Sequence, residues 1–105
     1  MKRFVKTKIN GHIWSVRRLK PEDMGNGKYY GYTWCVHRAI DLMDTLTEDE
    51  LPYVIRHEVC HAILDTQGRR VQNKFNVEEI CDFVAWNNEE ISRLTNEIMK
   101  KLLEK

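Results

Sequence analysis

The sequence lacks the features that mark secreted or membrane proteins. Its three cysteines, Cys35, Cys60 and Cys81, are widely spaced and form no C-x-x-C pair. An odd number with this spacing argues against a disulfide framework and fits a reducing cytoplasm. No apolar run approaches the length of a membrane span, and the basic N-terminus is not followed by an apolar signal core. We therefore expect a cytoplasmic protein without a membrane partner.

The sequence also lacks an excess of charge of either sign. Seventeen Lys and Arg residues face sixteen Asp and Glu residues, for a formal net charge of +1. This balance gives no reason to expect nucleic acid as a partner. An apolar fraction of 42% and a charged fraction of 31% are typical of a soluble globular protein. We expect residues 1–105 to form one domain with one modest core.

Residues 4–18 are predicted to form a β-hairpin. Asn10-Gly11 is a strong turn signal, because a type I′ turn needs positive φ at both central residues. The pairs expected from a two-residue loop are Ile9 with His12, Thr7 with Trp14, and Val5 with Val16. This register collects apolar side chains on one face and most of the charged ones on the other, as a half-buried hairpin requires.

More strands are predicted after a loop at residues 20–28, which is rich in Pro and Gly. Residues 29–42 are rich in aromatic and β-forming residues and indicate one or two strands, with a break near Gly31 or Cys35. Residues 38–42 are expected to complete a three- to four-stranded sheet.

The first long helix is predicted to begin near Thr47. Thr47 and Glu50 have capping-box spacing. Because proline is tolerated only in the first helical turn, Pro52 leaves Asp49 as an alternative cap. Gly68 stands where a glycine would end the helix.

Two further helices are predicted. The first lies near residues 76–86, and Asn87 with Glu90 then resembles another capping box. The last helix carries an amphipathic stripe made of Ile91, Leu94, Ile98 and Leu102. A sheet followed by three helices predicts an α+β domain.

The chemistry is concentrated in the H-E-x-x-H pattern of His57, Glu58 and His61. Residues four apart lie on one face of a helix, so the two histidines can bind one metal ion. Glu58 lies beside them as a candidate general base. Cys60 is inside the pattern, but three ligands from one helical turn make poor geometry. We expect Cys60 to be a small hydrophobic residue instead.

A catalytic zinc site needs a third protein ligand. Glu78 on the next helix shares a face with Cys81, Asp82 and Ala85, and the two small residues would let that face approach the first helix closely. Asp82 could accept the second ring N–H of a metal-bound histidine. Glu79 is the alternative ligand, but its face also carries two bulky aromatic residues. We favour Glu78.

The sequence resembles a known family over about residues 38–86. His57-Glu58-x-x-His61 followed by Glu78-x-x-x-Asp82 looks like the gluzincin zinc peptidases. The short spacing is similar to the small ImmA/IrrE-type metallopeptidases of bacteria, phages and mobile elements. The resemblance implies a minimal zincin-like fold, one zinc ion per chain with Glu78 as third ligand, and a cleaved protein such as a repressor.

Peptide hydrolysis would also require a group that stabilises the developing oxyanion. Tyr53 is a candidate because it shares a helical stripe with His57. His37 and Tyr32, from the preceding strand, are the others. An edge strand near residues 36–42 could hold an extended substrate through backbone hydrogen bonds.

The leading hypothesis is a zinc metallopeptidase in which Glu58 activates zinc-bound water to hydrolyse a peptide bond in a protein or peptide substrate. The alternative is a catalytically inactive or regulatory zincin-like binding module that keeps a zinc site. A chain of 105 residues leaves little material for a substrate cleft, which favours that alternative. The substrate and the oligomeric state stay open.

Overall fold

A mixed four-stranded sheet and two α-helices make up residues 1–68 and 76–104, the part of the chain that this computed structural model describes. The architecture is α+β, as predicted. The elements in chain order are β1 (Phe4–Ile9), β2 (His12–Leu19), a short 3-10 helix (Pro21–Asp23), β3 (Gly31–Trp34), β4 (Ala39–Met43), α1 (Leu51–Thr66) and α2 (Val77–Leu103).

The β1–β2 hairpin has the predicted turn and register. Asn10 and Gly11 have φ values of 47° and 83°, which is the conformation that a type I′ turn demands. All three predicted pairs form: Val5 with Val16, Thr7 with Trp14, and Ile9 with His12. The shared face is buried except at His12, which is exposed at the end of the hairpin.

The strand order is β1-β2-β4-β3, with β2 and β4 parallel and β3 antiparallel to β4. A turn at residues 35–38 separates β3 from β4, which confirms the predicted break near Cys35. The prediction of an edge strand near residues 36–42 is wrong. Because the chain crosses back to pair β4 with β2, β4 becomes an interior strand, and β3 and β1 are the two edge strands.

Both helices pack on one face of the sheet, and the core lies between them. The fully buried side chains of that core are Ile9, Trp14, Val16, Ile40 and Leu42 from the strands, Leu51, Ile55, Val59 and Ala62 from α1, and Leu94, Ile98 and Leu102 from α2. The stripe predicted for the last helix is therefore confirmed, since Ile91 is buried as well.

A capping box precedes α1. The backbone N–H of Thr47 donates to Glu50 Oε1 at 2.9 Å, and the backbone N–H of Glu50 donates to Thr47 Oγ1 at 3.3 Å. These bonds lower the pKa of Glu50, the backbone donor contributing most. The predicted box of Thr47 and Glu50 therefore forms in the turn just before the helix, and Glu50 is the residue that directly precedes α1. Gly68, with φ of 77°, follows the last turn as predicted.

The predicted break between a second and a third helix is wrong, because α2 runs without interruption through Asn87. Asn87 is buried instead of capping a helix. Its side-chain N–H donates to the Phe83 carbonyl at 2.9 Å, and its Oδ1 accepts from Gln67 Nε2 at 3.0 Å. The cap of α2 is Asn76, whose side chain accepts from the backbone N–H of Glu79 at 2.8 Å.

Neither α1 nor α2, the α-helices in the described ranges, combines the length and apolar character of a membrane span.

Candidate active site

The two histidines of the motif lie side by side on α1. The ring centroids of His57 and His61 are 5.1 Å apart, with an angle of 68° between the ring planes. A tetrahedral zinc ion about 2.1 Å from one nitrogen of each ring holds two imidazole centroids about 5 Å apart. The spacing of this pair therefore fits a shared metal ion. His57 is exposed and His61 is half-buried, so the pair is open to solvent.

Glu58, between the histidines in sequence, points toward β3. It is only 6% exposed. The hydroxyl of Thr33 donates to Glu58 Oε1 at 2.8 Å and lies 3.1 Å from the Glu58 backbone carbonyl oxygen. A buried carboxylate is costly unless it is hydrogen-bonded, so Thr33 both satisfies the side chain and fixes its direction.

Gly31 allows β3 to approach α1 closely at this point. A Cβ atom added at Gly31 would lie 2.7 Å from Val54 Cγ1 and 3.1 Å from Glu58 Oε2. The first distance is shorter than Cβ contacts in proteins, and the second is tighter than most of them. The carboxylate of Glu58 therefore lies directly against the backbone of the edge strand.

A groove of about 270 Å³ runs along this contact. Its lining residues are Lys28, Tyr29, Tyr30, Gly31, Tyr53, Val54, His57 and Glu58. Tyr53, the oxyanion candidate on α1, is thus brought together with His57 and Glu58, and its side chain is 76% exposed.

The third ligand is not assembled with the histidines. Within residues 1–68 and 76–104, no three His, Cys, Asp or Glu side chains form a group that could hold a metal ion. Glu78, Cys81 and Ala85 are exposed, so the face predicted to approach α1 lies on the outside. Glu78 precedes the buried Asn87 by nine residues (87 − 78), which is about 2.5 helical turns, and therefore lies on the opposite side of α2.

Glu79, the alternative third ligand, lies on a side of α2 that is nearer to α1 than the side of Glu78. It is half-buried and lines a cavity of about 230 Å³ with Gln67 and Asn87. Asp82 lines the same cavity and is exposed. This cavity is at the C-terminal end of α1, and neither histidine of the motif lines it.

The other two oxyanion candidates belong to the opposite face of the sheet. Tyr32 lies in a cavity with Trp34 and Asp41, and the ring of His37 is 6.3 Å from that of Trp34. Alternation along β3 explains this placement, because Thr33 faces α1 and its neighbours in the strand face away. Of the three candidates, the groove contains Tyr53.

Two of the cysteines can now be placed. Burial raises the pKa of the Cys60 thiol, and the nearby Glu58 raises it while Arg56 lowers it. Cys60 packs against the core as a neutral, small side chain, as predicted. Cys81 is exposed instead.

Sequence reasoning missed the roles of Gly31 and Thr33. The signal for them was present in Gly31-Tyr32-Thr33-Trp34, where the two small residues alternate with two large aromatic ones. Such a strand has one face that admits a close neighbour and one that does not.

The comparisons with known proteins give no relative for this chain. No protein-family model matches it, and neither a curated protein nor a solved structure gives a significant match.

Proposed function

We propose that this chain is a small zinc-dependent metallopeptidase of the gluzincin type, with a minimal zincin-like fold, acting on a protein or peptide substrate in the cytoplasm. One observation carries the proposal. A buried carboxylate, that of Glu58, is fixed by Thr33 next to a pair of imidazoles whose spacing suits one metal ion. A structural metal site would have no use for a carboxylate in this position.

His57 and His61 fit two positions of a zinc site, and Glu78 is proposed for the third. Glu78 lies on the outer side of α2, so ligation requires a rotation or displacement of the first turns of that helix. When bound, zinc supplies Lewis acidity toward a peptide carbonyl and lowers the pKa of a water molecule. Asp82, one turn after Glu78, would accept the free ring N–H of a ligating histidine.

Glu58 would serve as the general base. Its Oε1 atom accepts the hydrogen bond from Thr33, whereas its Oε2 atom accepts none from the described residues and lies against Gly31. The geometry suits Oε2 to take a proton from a water molecule in the groove and to return it to the leaving amine. Tyr53 would donate its hydroxyl proton in a hydrogen bond to the developing oxyanion.

The substrate would bind in extended form along β3. As an edge strand, β3 has backbone N–H and C=O groups on its outer side that no strand within the described residues uses. A peptide added there would pass the groove that contains Glu58 and Tyr53.

A second candidate is a catalytically inactive or regulatory zincin-like binding module. The outward position of Glu78 favours it, because a site with two histidines and no third ligand binds metal without completing a catalytic centre. The effect of replacing Glu58 distinguishes the two candidate functions.

The deciding experiment compares Glu58→Gln with Glu48→Gln in peptide cleavage assays on zinc-loaded protein. The amide introduced by Glu58→Gln would keep an oxygen for the Thr33 hydroxyl but would not act as a base. We expect Glu58→Gln to lose about 10²- to 10⁴-fold in rate, and Glu48→Gln, at an exposed position ahead of α1, to keep the wild-type rate. Equal rates in wild type and Glu58→Gln would reject the peptidase, and a wild type without cleavage would favour the binding module.

A further inference from the structure

The face of the sheet that the helices leave open is aromatic. We call it the outer face, and its members are Phe4, Lys6, Lys8, Ile13, Ser15, Arg17, Tyr32, Trp34, Ala39 and Asp41. Four of its large apolar side chains, Phe4, Ile13, Tyr32 and Trp34, are between 40% and 54% exposed. Solvent-facing strands usually carry polar side chains, so this composition needs an explanation.

Four rings form a continuous row along the β3 edge of the outer face. The centroids of Tyr29 and Tyr32 are 5.5 Å apart, those of Tyr32 and Trp34 are 4.6 Å apart, and those of Trp34 and His37 are 6.3 Å apart. Such spacings are those of stacked and edge-to-face aromatic pairs. The row therefore presents a series of ring faces and edges to solvent.

The buried carboxylate of Asp41 orients two side chains of the outer face. It is buried, and its carboxylate accepts from Arg17 Nε at 2.7 Å, from Arg17 Nη2 at 2.8 Å and from Trp34 Nε1 at 2.8 Å. The same carboxylate thus orients a guanidinium and an indole. An interaction surface pre-organised in this way loses less entropy on binding.

Small residues leave room between the two edges of the outer face. One cross-strand row runs Lys6, Ser15, Ala39, Trp34. Ser15 and Ala39 form a low floor, and a cavity of about 540 Å³ lies above it, with Phe4 at one side and Trp34 at the other. Three strand spacings separate β1 from β3, or about 14 Å. The opening is wide enough for a planar ring to lie between the two aromatic side chains.

The hairpin that borders this cavity is rich in positive charge. Residues 1–20 contain seven Lys and Arg residues and no Asp or Glu. They are Lys2, Arg3, Lys6, Lys8, Arg17, Arg18 and Lys20. In the part of the chain that the structure describes, Lys6 and Lys8 form no ion pair. Lys2, Arg3 and Arg17 are ion-paired with Glu104, Asp44 and Asp41. Lys6 and Lys8 are therefore the basic residues of the outer face that a polyanion could contact.

We propose that the outer face binds a single strand of nucleic acid, with bases on Phe4, Tyr32 and Trp34 and phosphates on the lysines of β1. Exposed aromatic rings on a sheet beside a basic strand are what sequence-tolerant binding of single strands requires. The charge selects this occupant. A second copy of the chain would bring two basic hairpins together, which is electrostatically unfavourable, whereas a polyanion is complementary. The proposal goes beyond the peptidase and does not depend on it.

The test measures the anisotropy of fluorescein-labelled oligouridine and oligodeoxythymidine, each about 12 nucleotides long, against the whole chain. We expect saturable binding at low salt. Phe4→Ala and Tyr32→Ala should each weaken it roughly tenfold or more. A Lys6→Gln, Lys8→Gln double variant should reduce the slope of log affinity against log salt by about 1.4, that is about 0.7 for each phosphate contact.

The matched controls are Trp86→Ala and Lys100→Gln, which remove an exposed aromatic and an exposed lysine on α2. Both should bind like wild type, and so should Glu58→Gln, which separates this site from the peptidase. Circular dichroism would verify that each variant is folded. The proposal is overturned if neither probe binds, if the controls weaken binding as much as the outer-face variants, or if Phe4→Ala dissociates a dimer of the chain in sedimentation.

Discussion

Helix α1 and the first ten residues of α2 behave differently, although both were predicted to contribute ligands. In α1 every fourth or third residue is buried against the sheet, and Glu58 is tied to Thr33. The first ten residues of α2, residues 77–86, contain no buried residue, and Val77 is 73% exposed. We call this segment the α2 N-terminal segment. Spacing within one helix predicts which side chains share a face, but only packing decides what that face meets.

The largest effect is expected from a comparison of the two halves of α2, in which one buried and one exposed side chain are each truncated. Leu94 is fully buried in the C-terminal half, and Ile80 is half exposed in the α2 N-terminal segment. Leu94→Ala should lower the free energy of unfolding by about 2–5 kcal/mol because it leaves a cavity. Ile80→Ala should change it by no more than about 0.5 kcal/mol. Urea unfolding followed by circular dichroism measures both, and comparable losses would mean that Ile80 packs on the body.

The sequence predicted those parts of the fold that depend on local chemistry. Asn10-Gly11 set the hairpin register, the reciprocal bonds of Thr47 and Glu50 precede α1, and Gly68 follows its end. Each of these signals acts over a few residues, so no tertiary contact is needed to interpret it.

Two predictions that depended on tertiary packing were wrong, namely the helix break at Asn87 and the edge strand near residues 36–42. Asn87 has a side chain that can cap a helix, but α2 continues through this residue. Its Oδ1 atom accepts a hydrogen bond from Gln67 instead. Residues 39–43 have the composition of any β-strand, and only the crossover makes them interior. The outward face of Glu78 follows from the buried stripe that begins at Ile91, which fixes the rotation of α2 far from the motif.

The second prediction sharpens the question of the third ligand. If Glu78 ligates zinc, Glu78→Ala should weaken zinc affinity at least roughly tenfold and more than Glu79→Ala does. Competition with a chromogenic chelator measures both affinities. The reverse order would assign the role to Glu79, which lies nearer α1 in the structure. No effect from either variant would leave a site with two protein ligands.

The third prediction concerns the tie between α1 and the edge strand. Thr33→Val keeps the shape of the side chain but removes the donor to Glu58, which leaves a buried carboxylate without that bond. We expect a loss of about 1–3 kcal/mol in the free energy of unfolding. Thr45→Val, at an exposed position, is the matched control and should be neutral. A neutral Thr33→Val would show that Glu58 is not held as described.

The smallest effect is expected at the start of α1. Thr47→Ala removes the hydroxyl of the capping box and should cost about 1 kcal/mol, against no change in Thr45→Ala. Because the pKa of Glu50 is lowered in the folded state, its contribution is present at neutral pH and is lost as the pH falls through that lowered value. Thr47→Ala keeps the backbone donor to Glu50, so it should weaken the acid dependence of unfolding only in part. A free energy of unfolding equal to that of wild type would contradict the capping box.

The most direct test of the central claim is the zinc content of the purified chain at neutral pH, measured by elemental analysis. We predict one zinc ion per chain in wild type and in Glu58→Gln, and none in His57→Ala or His61→Ala. His12→Ala, which removes the exposed histidine of the hairpin, should keep its zinc. A wild type without zinc, or a His57→Ala variant that retains it, would contradict the assignment of His57-Glu58-Val59-Cys60-His61 as a metal site.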